Sequence, residues 1–159
     1  MGLAEVSTIL WRERDLLDLL AFKLDQQSLL LAAGRTRWLS QAADELDAVM
    51  DELRHVELVR AIETDALAAD LGLRPGASLA DLAGAVEEPW AELLWSHRAA
   101  LIELSEDVRT RSATNCDALE RGAGAVRDLI GAAATGVGAL DRQPRDRGAA
   151  AGILVDQRL

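Results

Sequence analysis

The residues from which a reactive or metal-binding site could be assembled are few: two histidines, one cysteine and a run of carboxylates. Glu52-Leu53-Arg54-His55 has the Glu-x-x-His spacing that sets a carboxylate and an imidazole on one helix face, as in di-iron bundles. That chemistry needs a second such motif and two more inward glutamates. The other histidine, His97, is preceded at the matching position by Leu94, so the second half is missing and His55 reads as a surface residue. No metal and no cofactor is expected. Cys116 is the sole cysteine, so no intrachain disulfide can form, and beside Asn115 it reads as a small half-buried residue rather than a nucleophile. The acidic run Asp44, Glu45, Asp47, Asp51 and Glu52 reads as a solvated helix face, with Arg54 and Arg60 available for pairs. Gly122-Ala123-Gly124 and the glycines from 131 to 138 lack the preceding strand and the lysine of a phosphate loop. No serine, cysteine and histidine grouping resembles an activated nucleophile. No catalytic residue is assigned, and the expected class is not an enzyme.

The composition agrees with a binding or structural role. The chain has 159 residues, half of them hydrophobic, with one Phe, no Tyr and four Trp. That length suits one domain with a real core, and an Ala- and Leu-rich, aromatic-poor composition suits helices packed on helices rather than a sheet. A formal charge of −10 repels nucleic acid and an anionic membrane face. Met1 to Glu5 lack the basic lead and apolar run of a signal peptide, and no run of about 18 apolar residues occurs, so a cytoplasmic location without membrane insertion is expected.

Apolar residues at three-four spacing then lay out the elements. Leu3, Val6, Leu10, Leu17, Leu20, Leu24 and Leu31 mark a first helix, with Glu13 and Gln27 as polar members of the same seam. Ile9, Leu16, Leu29 and Leu30 widen its stripe, which predicts contact with two neighbours. Ala33-Gly34 ends it. A second helix is expected from a cap between Thr36 and Ser40 to Leu71, along Leu39, Ala42, Leu46, Val49, Leu53, Val56, Arg60 and Leu67, antiparallel to the first. Gly72 stops it, Pro75-Gly76 turns the chain, and Ser78-Leu79-Ala80-Asp81 is a variant capping box opening a short helix to about Ala83.

The long helix from Pro89 to about Ile130 carries the seam Trp90, Leu94, His97, Leu101, Leu104, Val108, Arg111, Asn115, Ala118 and Gly122, apolar early and polar or small later. Glycines 131, 136 and 138 cost about 1 kcal/mol each against alanine, so fraying is expected there. The whole reads as an all-α, elongated antiparallel bundle or coiled coil of three long helices. It is expected to form a bundle domain at 1–135, with a flexible tail at 136–159 that ends in the apolar cluster Ile153-Leu154-Val155. At about 1.5 Å per residue the second helix covers the third only to about residue 124, leaving Val126, Leu129 and Ile130 uncovered. The same arithmetic puts Trp11, Trp90 and Trp95 at one bundle end and Trp38 at the other, where tryptophans read as clamping an end shut.

The order of pieces resembles a known family. A helical hairpin, Leu71-Gly72-Leu73, a Pro-Gly turn, Ser78-Leu79-Ala80-Asp81-Leu82, a long helix containing Asn115 and a glycine-rich tail are similar, over most of residues 3 to 135, to the FlgN flagellar export chaperones. Asn115 stands where the family often repeats asparagine, with Ala118 or Leu119 at the place of its companion. The resemblance implies a cytoplasmic, non-enzymatic chaperone that binds the C-terminal segments of hook-associated (hook-filament junction) proteins. It prevents their early assembly and delivers them to the type III export apparatus, with export-gate or ATPase components as further partners. The expected client surface is Leu104, Val108, Asn115, Leu119, Val126, Leu129 and Ile130; ordinary bundle core is the competing reading, preferred for the first three. The alternative class is a coiled-coil adaptor or homodimer pairing through its own stripes.

Overall fold

A computed structural model describes residues 2–141, with side chains described for 2–135. Among these residues there is no strand, and the order is α1 (Leu3–Ala32), a 3-10 turn (Thr36–Trp38), α2 (Leu39–Asp70), α3 (Leu79–Ala85) and α4 (Trp90–Asp141). The architecture is the all-α helical bundle read from the periodicity. The chain divides into two units, Met1–Glu120 and Arg121–Leu159.

The first unit owes its turns to three left-handed glycines. Gly34, at φ 64°, lets the Arg35 amide reach back to the Leu30 carbonyl at 2.9 Å and the Gly34 amide to Leu31 at 3.1 Å. Gly72, at φ 71°, repeats the arrangement with Leu73 to Ala68 at 2.8 Å and Gly72 to Ala69 at 3.1 Å. Both ends thus satisfy the carbonyls that a helix C-terminus leaves orphaned, and an added Cβ would strain either glycine. Gly76, also left-handed, donates its amide to Asp65 Oδ1 at 2.8 Å and so ties the elbow to α2.

Helix starts are less uniform. Ser78 Oγ accepts from the Asp81 amide at 3.1 Å while Asp81 Oδ2 accepts from the Ser78 amide at 2.9 Å, which is the reciprocal box read from the sequence. These bonds hold the Asp81 carboxyl below its ordinary range. The expected side-chain cap of α2 is not made: Trp38 is the N-cap and offers no side-chain acceptor. A 3-10 turn, closed by the Trp38 amide on the Arg35 carbonyl at 3.1 Å, takes its place because the link from Gly34 is too short for a separate cap. In α4 the Glu88 carboxylate caps the Glu92 amide at 3.1 Å.

Two apolar clusters fill the unit. Val6, Leu10, Leu17, Leu67, Ala68, Leu82, Ala83, Leu94 and Leu101 form one, so that α3 plugs the end where all three long helices meet. Leu16, Leu20, Leu24, Leu46 and Val49 form the other, and Leu53 and Val108 pack against both. Each buried leucine contributes about 1.5–3 kcal/mol over its exposed state. The cross-links Ser7–His97, Asp25–Arg111 and Leu24–Asn115 keep separations of 90, 86 and 91 residues. Such a near-constant offset means that α4 runs parallel to α1, whereas α2 runs antiparallel to it, as Arg12–Glu52 and Lys23–Glu45 require.

Two expectations are corrected. Three of the four tryptophans do not clamp an end: Trp11, Trp38 and Trp95 are each about half exposed, with the guanidinium of Arg14, Arg37 or Arg98 over the ring at 4.2, 4.6 and 5.8 Å, while Trp90 is partly buried. Cation–π contact lets an indole remain at the surface. In the second unit, α4 does not stop near Ile130; it reaches Asp141. Ala132 to Ala134 are the strongest helix formers, and extending a helix costs far less than nucleating one, so single glycines do not end it. The rest of the expected tail, 142–159 with Ile153-Leu154-Val155, lies outside the described residues.

Glu13 Oε2 and Arg60 Nε stand 2.8 Å apart across α1 and α2, buried, without the alignment of a hydrogen bond. Burial therefore outweighs the ion pair and pushes the Glu13 carboxyl up, with Glu57 adding repulsion. A folded-state pKa raised in this way contributes stability at low pH that is lost as pH rises through it. Glu13→Gln, a neutral isostere, should therefore unfold at higher urea concentration than wild type at pH 7, with the gap closing below the ordinary carboxylate range; a lower midpoint at pH 7 would overturn this. Ser78→Ala should cost about 1 kcal/mol in the same assay, through the lost cap.

Candidate functional site

The sequence candidates for chemistry lie apart. Glu52 and His55 are exposed on α2, and the Glu52 carboxylate pairs with Arg12 of α1. Among the described residues no group of three or more His, Cys, Asp or Glu side chains is placed to hold a metal ion. Cys116 is exposed rather than half-buried, because its neighbour Asn115 takes the inward position on α4.

One pairing was invisible in the sequence. Ser7 Oγ lies 3.2 Å from His97 Nε2, both buried, and Arg14 Nη1 stands 3.4 Å from His97 Nδ1. A serine and a histidine at this distance raise the question of a nucleophile and its base. The third group answers it. Guanidinium only donates, so Nδ1 must accept, and the ring proton sits on Nε2 and is donated to Ser7 Oγ. An imidazole in that tautomer cannot take the hydroxyl proton, and a cation stands where a base-orienting carboxylate is needed. Burial and the nearby Arg14 charge hold the His97 pKa below its ordinary value, so the ring is neutral. Trp11 meets it edge-on, with centroids 5.0 Å apart. The cluster is an internal tie between α1 and α4, 90 residues apart, which only the folded chain brings together.

The expected client residues divide by environment. Leu104 and Val108 are partly buried and pack on the core clusters of the first unit. Asn115 is buried there and donates from Nδ2 to the Leu24 carbonyl at 2.8 Å and to Gln27 Oε1 at 3.0 Å. Leu119, also in the first unit, is exposed. In the second unit Val126, Leu129 and Ile130 are 55%, 70% and 64% exposed. Their spacing of three and four puts them on one side of α4, flanked by Arg127 and Asp128. Such a strip can do no bond chemistry; it can bury apolar surface against a partner.

A groove of about 510 Å³ in the first unit is lined by Glu13, Glu57, Arg60, Arg98, Glu106 and Arg109 among others, and these opposite charges balance. The sequence reading did not single out Phe22, which is 56% exposed on α1. The signal was present, since Trp11, Phe22 and Leu29 recur at intervals of eleven and seven, but the stronger leucine seam on the opposite face masked it.

No described helix is long and apolar enough to cross a membrane. No curated protein and no solved structure matches the chain. The family model described as FlgN protein matches residues 1–133, which takes in α1, α2, α3 and most of α4. The chain belongs to the FlgN family of flagellar export chaperones.

Proposed function

We propose that the chain is a cytoplasmic chaperone that binds the C-terminal segments of hook-associated proteins, keeps them from assembling early and delivers them to the type III export apparatus. The observation that carries the reading is the exposed strip Val126, Leu129 and Ile130 in a member of a chaperone family. Client and chaperone associate by laying one apolar helical face on another, and no covalent step is needed. An exterior with a net charge of −10 keeps the chaperone soluble while the strip waits for its client. Within the first unit Leu104, Val108 and Asn115 are engaged by the core, so their part in binding is to hold α4 in place.

Leu129→Asp combined with Ile130→Asp should abolish capture of a hook-junction C-terminal segment in a pull-down while leaving helicity by circular dichroism unchanged. Two buried anchors at about 1.5–3 kcal/mol each correspond to a loss of at least a hundredfold in affinity. Retained binding would sink the strip as the client surface. Asn115→Ala, by contrast, should destabilise the fold by about 1–3 kcal/mol, since it strips Gln27 of its buried partner.

A further inference from the structure

We propose that the outer face of α1, from Trp11 to Leu29, together with the cavity beside the 3-10 turn, is a second docking surface. Its occupant is an amphipathic helix of another protein whose apolar seam is flanked by lysine or arginine. The surface lies wholly in the first unit and goes beyond the client reading of Val126, Leu129 and Ile130.

The geometry comes from α1 alone. At 3.6 residues per turn, Trp11, Phe22 and Leu29 fall within roughly 20° of one another. They lie roughly 100–160° round the helix from the buried line of Leu10, Leu17 and Leu24 and are 48%, 56% and 69% exposed. Trp11, Phe22 and Leu29 belong to neither core cluster, whose α1 members all come from the inner face. An apolar stripe left on the outside of a saturated helix is the mark of a partner. Trp11 is held in place, with its edge on His97 and its face under Arg14, so little ordering entropy remains to be lost on binding. At the other end, Leu29 joins Leu30, Trp38 and Ala42 in a cavity of about 460 Å³ with Gln26, Gln41 and Glu45 at its lip. That is a seat for one bulky apolar anchor of a docking helix.

Charge selects the occupant. Asp15 and Asp18 are exposed between Trp11 and Phe22 and have no ion pair among the described residues. Arg12 and Lys23 are already paired, with Glu52 and Glu45, and Arg14 over the Trp11 ring is one positive charge against the two aspartates. A second copy of the chain fits poorly. Paired in parallel, the stripe sets Asp15 and Asp18 against themselves; paired antiparallel about its middle, it sets Asp15 against Asp25, which Arg111 already holds, so neither pairing brings a free cation to Asp15 or Asp18. Lysine or arginine beside the partner's apolar seam would meet Asp15 and Asp18 with opposite charge.

The test uses the full chain and two synthetic helical peptides about three heptads long, with the same Leu/Phe seam and either Lys or Glu flanks. By calorimetry the Lys peptide should bind at least about tenfold more tightly than the Glu peptide, and Phe22→Ser with Leu29→Ser should weaken it at least about tenfold. The pair Leu58→Ser and Ile62→Ser, which alters another exposed apolar site on α2, should leave binding intact. In the wild type, hydrogen exchange should slow within the stretch from Trp11 to Trp38 when the Lys peptide is bound. Equal affinity for both peptides, undiminished binding by the Phe22/Leu29 variant, or protection elsewhere would overturn the proposal. So would a concentration-dependent dimer, seen by light scattering and lost in that variant, since it would give the face to a second copy.

Discussion

Five polar side chains lie buried in a leucine-rich interior, and the helices can meet only where those groups find one another. Ser7 meets His97, Glu13 meets Arg60, and Gln27 meets Asn115. A slip of α4 along α1 by one turn would keep leucine against leucine at little cost. It would also strand an imidazole and two amides without partners, at about 1–3 kcal/mol each. Leucines therefore supply most of the stabilisation, while the polar pairs choose one register among several that burial alone would accept.

The same pairs occupy the potentially reactive groups of the interior. A serine, a histidine and one glutamate are buried there, and each faces a partner on another helix. Arg14 sets the His97 tautomer that denies it the role of base, and the misaligned Glu13–Arg60 pair is a cost borne at an interface rather than a tuned acid. With the interior so occupied, what remains to act is surface. Apolar side chains stand exposed on the later part of α4, on the outer face of α1 and at Leu58 and Ile62 of α2, on a chain whose net charge is −10. The chain belongs to an export-chaperone family, and exposed apolar area is what such a chaperone can cover and uncover.

Much of the first unit was legible because its signals are local. Leucine spacing depends on 3.6 residues per turn, Gly34 and Gly72 on the freedom of a residue without Cβ, and Ser78–Asp81 on a three-residue reach. Even the odd members of the seams, Glu13, Gln27, Arg60, His97 and Asn115, were visible as polar residues at core positions. The readings that failed were those needing a balance of terms. Whether glycines end α4 depends on helix extension against their cost, and whether a tryptophan is buried depends on what its arginine neighbour offers.

By itself the sequence determined the helical class, the positions of the hairpin and elbow, and the net acidic charge. Each follows from composition or from spacing within a few residues. Only the tertiary structure decided which polar residue pairs with which and that Trp11, Phe22 and Leu29 are left outside. Those outcomes depend on groups some 90 residues apart meeting in a dry interior, where the cost of an unpartnered hydrogen-bonding group becomes large enough to select one arrangement.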